Sequence, residues 1–143
     1  MWSATIFCAV LLCSATALGQ QPQWTVVQHV ELMQQSVAIA PTILLTPAES
    51  GTYRLTTYIS SVGGTVVGDW TLFLSATDIA GGLVNGNLGL ACRVGHYWFS
   101  TPPITAVLKA NAPITYQVSG SGAPACQYNL LIVVEQLQEP VNH

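Results

Sequence analysis

The sequence predicts an all-β protein folded as a two-layer antiparallel β-sandwich. Apolar and polar residues alternate with a period of two in several segments, and this period is typical of half-buried strands. Clusters of Gly, Pro and Asn separate these segments and mark turns, as at Val62-Gly63-Gly64-Thr65. No segment of consequence has helical periodicity. Seven to nine short strands separated by turns therefore indicate a sandwich or barrel.

The amino-terminal half begins with a strand predicted over Trp24–Leu32, in which alternation places Trp24, Val26, Val30 and Leu32 on one face. The stretch 34–45 is less regular, and its prolines confine it to an edge or a bend. A glycine turn then leads into a strand over Thr52–Ser60. Alternation places Tyr53, Leu55, Thr57 and Ile59 on one face of this strand, which is predicted to face the core. The other face carries Arg54, Thr56 and Tyr58.

The remaining strands follow the same pattern. Trp70–Thr77 places Trp70, Leu72, Leu74 and Ala76 on one side, against Thr71, Phe73 and Ser75. The last three predicted strands are Ile104–Ala110, Ile114–Ser119 and Tyr128–Leu137. Since no linker, charge run or repeat divides the chain, we expect a single domain.

The amino terminus resembles a secretory signal. An apolar segment over Ile6–Ala15 is followed by small residues, which suit signal peptidase. Cleavage after Gly19, or two residues earlier, would leave one β-sandwich domain over residues 20–143. We expect a secreted protein, extracellular or periplasmic, with no membrane span after cleavage, because the apolar segment is shorter than the roughly 20 residues that a bilayer requires. A lipoprotein anchored through Cys13 is the alternative, although bulky Leu12 disfavours it.

Two of the four cysteines, Cys92 and Cys126, lie after the expected cleavage site. In an oxidising compartment they are expected to form one disulfide, which closes a loop of about 35 residues. Two buried thiols or a metal pair are the alternatives. The metal pair is disfavoured because no Cys-x-x-Cys or His-x-His spacing accompanies the cysteines.

Charge is scarce in this chain. Only 6% of the residues are charged, with a net charge of −3, whereas a typical domain is about one-quarter charged. A nucleic-acid partner is excluded because it requires a basic surface. Low charge also gives little repulsion between copies of the protein. A secreted protein of this kind is expected to associate with itself or to lie against another surface.

The closing strand carries apolar residues on both faces. Leu131 and Val133 lie on the face opposite to Leu130 and Ile132, where a solvent-exposed face would show polar residues. In a two-layer sandwich the other sheet covers one face only, so a second copy of the chain is the expected cover for the other. The predicted oligomer interface comprises Phe73, Val107, Leu131 and Val133. Cover by a loop or by the protein's own amino-terminal arm is the alternative.

Three segments resemble the jelly-roll domains of the tumour-necrosis-factor-like and complement globular-head class. They are Ser50-Gly51-Thr52-Tyr53-Arg54-Leu55, the strand–turn–strand unit from Val107 to Tyr116, and the closing strand Tyr128–Leu137. The sequence departs from the family at Asn111-Ala112-Pro113, where the family often has Gly followed by an acidic residue. The resemblance implies a jelly roll, association as a trimer around an apolar inner sheet, and recognition or assembly rather than catalysis.

The densest polar and aromatic cluster is His96-Tyr97-Trp98-Phe99. His96, Tyr97 and Trp98 could form a platform for a glycan or another surface ligand, because flat rings with a polar edge suit such contacts. An aromatic plug that closes one end of the sandwich is the structural alternative.

No group of residues assembles the chemistry of an enzyme, and no cofactor or metal ion is expected. The chain lacks the glycine-flanked serine of a hydrolase elbow. Asp69 and Asp78 lie at opposite ends of one predicted strand, about 30 Å apart at full extension, too far to act as a pair. The sequence therefore predicts a non-catalytic, self-associating structural or surface module, with a ligand-binding module as the alternative and a small enzyme as the least supported function.

Overall fold

The computed structural model describes residues 21–62, 68–92, 98–120 and 126–138, and only the backbone at 91–92. Nine strands occupy these residues. They are β1 (Gln23–Gln35), β2 (Ile39–Leu45), β3 (Gly51–Ser61), β4 (Gly68–Thr77), β5 (Leu83–Cys92), β6 (Trp98–Ser100), β7 (Ile104–Leu108), β8 (Ile114–Gly120) and β9 (Tyr128–Gln138). The signal segment predicted over residues 1–19 lies outside the described residues.

The strands form two antiparallel sheets. In the first sheet the order is β1-β9-β3, and β3 pairs on its other side with β7 along Gly51–Leu55 and with β6 along Tyr58–Ser60. In the second sheet the order is β2-β8-β4-β5. The prediction of an all-β, two-layer antiparallel sandwich is confirmed.

The path of the chain is that of a jelly roll. Successive strands alternate between the two sheets, except for β4 and β5, which are neighbours in the second sheet, and β6 and β7, which both pair with β3 in the first. Strands β6 and β7 occupy one position beside β3, so the nine strands fill eight positions, as in a jelly roll. A short turn joins β4 to β5, in which the Gly82 N–H donates to Asp78 Oδ1 at 2.7 Å.

The core lies between the inner faces of the two sheets. Period-two alternation on β3, β4, β8 and β9 sends every second side chain inward, as predicted for β3 and β4. The buried apolar side chains are Leu44, Tyr53, Leu55, Ile59, Trp70, Leu72, Leu74, Ala76, Leu90, Leu108, Ile114, Tyr116, Val118, Cys126, Tyr128, Leu130, Ile132 and Val134. Trp70 and Tyr128 meet across the layers with ring centroids 4.8 Å apart.

Tyr128 lies at the start of β9 and is fully buried. Its hydroxyl donates to the Val37 carbonyl oxygen at 2.9 Å, which satisfies the polar end of the ring. Burial raises the pKa of Tyr128 to about 12, with a smaller contribution from Tyr116. The ring is therefore neutral throughout the physiological range.

The prediction that Trp24 and Val26 lie on the same face of β1 as Val30 and Leu32 is wrong. An irregularity in the pairing with β9 falls between Val26 and Gln28, and such a bulge reverses the faces of the residues before it. Val30 and Leu32 pack against the core as expected. Trp24 and Val26 instead pair with Leu137 and Glu135 on the outer face.

The sequence also failed to predict two strands. Strand β5 contains Val84-Asn85-Gly86-Asn87 and a further glycine, a composition that is typical of turns. At Gly86 a Cβ would lie 2.7 Å from Ile104 Cδ1, so a larger residue there would require the Ile104 side chain to shift. Strand β6 falls within the aromatic segment, for which the sequence predicts a loop platform or a plug.

Candidate functional site

The outer face of the first sheet carries a cluster of exposed apolar and aromatic side chains. Leu131 of β9 and Tyr58 of β3 are directly opposite in the ladder, and each is 37% exposed. Trp98 of β6 stacks on Tyr58, with ring centroids 6.4 Å apart and planes inclined by 22°. Val133, which is half-buried, follows Leu131 on the same side of β9 and is paired with Thr56 and His29. We name Tyr58, Trp98, Leu131 and Val133 the apolar patch.

The position of β9 explains why this patch is exposed. The strand lies between β1 and β3, so its backbone groups are paired on both edges. Leu130, Ile132 and Val134 point inward and are fully buried. The alternate residues must therefore point outward, away from the second sheet. No described segment of the chain buries Leu131, which stays partly exposed on this face.

An ion pair between Arg54 and Glu135 borders the apolar patch. Arg54 of β3 is opposite Glu135 of β9, and its Nε and Nη2 each donate to a carboxylate oxygen at 2.6 Å. The guanidinium also lies over the Trp24 ring, 4.4 Å from its centroid. This bidentate, ring-stacked geometry holds both charges against the sheet and leaves the face without an unpaired charge at this point.

The hydrogen bonds from Arg54 lower the pKa of Glu135 below its ordinary value of 4.5; charge attraction acts in the same direction, and burial opposes them. A lowered folded-state pKa stabilises the protein above the unfolded pKa, and this stabilisation is lost as the pH falls through the folded pKa. We therefore expect Glu135→Gln to destabilise the protein at pH 7 and to have little effect near pH 2. Urea unfolding at both pH values checks this, with exposed Glu31→Gln on β1 as the control. An equal effect of Glu135→Gln at both pH values would contradict it.

The four residues of the predicted interface do not form one surface. Leu131 and Val133 belong to the apolar patch. Val107 is 44% exposed on the same outer face, but it pairs with Thr52, six residues along β3 from Tyr58, or about 20 Å. Phe73 lies on β4 in the second sheet, so it points outward on the opposite side of the sandwich.

The aromatic segment is only partly described. His96 and Tyr97 lie outside the described residues. Trp98 is 65% exposed and pairs through β6 with Ser60 of β3. Its ring therefore belongs to the apolar patch rather than to the interior of the sandwich.

The predicted disulfide involves one residue whose side chain is not described. Cys126 is fully buried beside Trp70, whose indole Nε1 donates to the Cys126 carbonyl oxygen at 3.1 Å and lies 3.2 Å from its Sγ. The backbone of Cys92 pairs with Gly68, two residues before Trp70 on β4. Both cysteines therefore lie near the same end of β4, and the bond between them stays a prediction.

The acidic and histidine residues are dispersed in the described part of the chain. Asp69 lies near the start of β4 and Asp78 just after its end. No group of three or more His, Cys, Asp or Glu side chains that could hold a metal ion occurs among the described residues. The same residues contain no helix with the length and apolar character to cross a bilayer.

Sequence reasoning missed the aromatic partners of Leu131. The alternation of β3 places Tyr58 on the same face as Arg54 and Thr56, and the sequence predicts Trp98 as a ligand contact. An aromatic residue on a predicted polar face was the available signal for Tyr58. The meeting of β6 with β3 depends on the long-range topology, which no local pattern encodes.

Comparisons with known proteins give little further information. No protein-family model and no curated protein matches this chain. A chain in the structure of infectious bursal disease virus, Gx strain, is similar to it with a TM-score of 0.47 and 8% sequence identity. The match covers 94% of this chain but 38% of the viral one. Similarity at this level supports no inference about function.

Proposed function

We propose that this protein is a secreted, non-catalytic structural or surface module that self-associates through the outer face of its first sheet. The observation that carries the proposal is the apolar patch on the central strand β9, where Leu131 and the stacked Tyr58 and Trp98 rings are exposed together. Tyr and Trp are enriched in protein interfaces, and charged residues are depleted from interface cores.

The surroundings of the patch support the same function. The charged residues that follow it along β3 and β9, Arg54 and Glu135, are already paired with each other, so covering them leaves neither without a partner. Glu31 of β1 lies opposite Leu131 and is the carboxylate at the border of the patch. With a net charge of −3, the protein has little long-range repulsion between copies. The resemblance to the tumour-necrosis-factor-like class implies that the assembly is a trimer. Proteins of that class associate through an apolar inner sheet.

Replacing Leu131 by glutamate tests the proposal. The new carboxylate would be desolvated at the centre of the patch, so we expect the dissociation constant of the oligomer to rise about thirtyfold or more. Sedimentation velocity of the secreted protein across micromolar concentrations measures this constant. Circular dichroism establishes that the variant is folded.

Ile43→Glu is the matched control. Ile43 is also an exposed aliphatic side chain in a strand, but it lies on the second sheet. We expect this variant to associate like the wild type. A wild-type protein that is strictly monomeric at micromolar concentration would contradict the proposal, as would equal effects of the two substitutions.

A ligand-binding module is the second candidate function. The specific observation in its favour is the ring of Trp98, which is 65% exposed and stacks on the ring of Tyr58. Such a platform would bind an apolar face of a ligand by stacking. A glycan array probed with the wild type and with Trp98→Ala tests this function. The function requires that the wild type binds at least one glycan and that the variant loses this binding.

A further inference from the structure

The outer face of the second sheet carries a shallow trough that is separate from the apolar patch. Its volume is about 450 Å³, and its lining includes Phe73 and Ser75 of β4, Asn85 and Asn87 of β5, and Gln117 of β8. This volume lies within the range of small-ligand sites. The trough is open to solvent, so it suits a chain that lies along a surface rather than an enclosed molecule.

The pairing of the strands arranges these side chains in rows. Phe73 is opposite Asn87 on one side and opposite Gln117 on the other. In the next row, Ser75 is opposite Asn85 and Thr115. The result is one aromatic ring, 38% exposed, bordered on both sides by amide groups.

A second depression continues the trough across the sheet. It shares Phe73, Ser75 and Gln117 with the first and extends to Pro41 of β2. The two together cross all four strands of the second sheet, which is roughly 14 Å for three spacings of about 4.8 Å. The surface is therefore long enough for several units of an extended polymer.

The polar groups that line the trough are available to a ligand. The side chains of Ser75, Asn85, Asn87 and Gln117 make no hydrogen bond to any other described residue. Each amide offers both donors and an acceptor, and the hydroxyl offers one of each. Asn87 and Gln117 flank the Phe73 ring, Ser75 and Asn85 lie in the next row, and no charged side chain lines either depression.

We propose that this trough binds a strand of neutral polysaccharide. A sugar ring presents an apolar C–H face, which fits against the Phe73 ring, and a rim of hydroxyls, which fits the amides of Asn87 and Gln117. A polyanion is disfavoured because no basic side chain lines the trough. A protein partner is disfavoured because an interface core needs several apolar groups, whereas the side chains that flank Phe73 are amides, the next row carries amide and hydroxyl groups, and Pro41 lies at the far end of the trough.

Affinity electrophoresis in native gels tests the proposal with defined probes. The gels contain hydroxyethyl cellulose, mixed-linkage β-glucan, galactomannan, arabinoxylan or glycol chitin, and heparin serves as the polyanion. We expect at least one neutral polymer to retard the protein, and heparin not to. Phe73→Ala and Asn87→Ala should each weaken the interaction roughly five- to tenfold.

The matched control is Met33→Ala, which shortens an exposed apolar side chain on β1, in the other sheet. It should bind like the wild type. The measurement is repeated in Leu131→Glu, so that loss of self-association and loss of polysaccharide binding are scored independently. Near-ultraviolet circular dichroism establishes that Phe73→Ala retains the native packing.

Three results would overturn the inference. The first is the absence of retardation of the wild type by any of the neutral polymers. The second is loss of retardation in Trp98→Ala but not in Phe73→Ala, which would place the ligand on the first sheet. The third is a change of oligomeric state in Phe73→Ala, which would make the trough a contact between copies.

Discussion

Replacing Trp70 by alanine is expected to lower the free energy of unfolding by about 3–5 kcal/mol. Trp70 is the largest fully buried side chain and is 2% exposed. Its ring packs at 4.8 Å from that of Tyr128, so it joins the two layers. The substitution would leave a cavity in the core and would remove the donor to the Cys126 carbonyl oxygen.

The chain supplies a tryptophan as the matched control. Trp98 is exposed and contacts Tyr58 at the surface, so Trp98→Ala should cost no more than about 1 kcal/mol. Chemical denaturation of both variants, followed by circular dichroism, measures the difference. Similar losses in the two variants would show that Trp70 does not have the central packing role that its burial indicates.

Breaking the predicted disulfide is expected to have the second largest effect. Cys126→Ser should destabilise the protein by about 2–5 kcal/mol, because the cross-link restricts the unfolded chain and its sulfur lies in the core. Cys92→Ser should cost a similar amount. The double substitution should cost little more than either single one, since one bond is lost in all three variants.

Denaturation with and without a reducing agent measures this effect, and mass spectrometry of non-reduced peptides identifies the linkage. Reductant should destabilise the wild type and leave the double variant unchanged. Two thiols that react with a labelling reagent in the unfolded, non-reduced protein would exclude the bond. The buried Cys126 side chain would then act as a small apolar group beside Trp70.

Much of the fold was accessible from the sequence because burial in a sheet has a strict period. Strands β3 and β4 bury one of every two side chains, and the predicted core faces are the observed ones. The turn after Asp78 has a local cause too, because Asp and Gly have specific roles in tight turns and the Gly82 N–H donates to Asp78 Oδ1. These features depend on neighbours in sequence.

The remainder depended on neighbours in space. The bulge after Val26 reverses the face of Trp24, and its signal is a mismatch with β9 rather than a local pattern. Strand β5 is rich in Asn and Gly, and only its pairing with β4 makes it a strand. The candidate surfaces have the same origin. Phe73 and Leu131 resemble each other in sequence context, and the topology places them on opposite sides of the molecule.

The pairing of β1 with β9 has a consequence for the kinetics of folding. Gln23 is paired with Gln138, residues separated by 115 positions in the chain. Closing so long a loop has an entropic cost that precedes the stabilisation from the contacts, and proteins with such long-range pairings fold in milliseconds to seconds. Strand β1 emerges early during synthesis and must wait for β9, so its free edge is vulnerable to aggregation until the closing strand arrives.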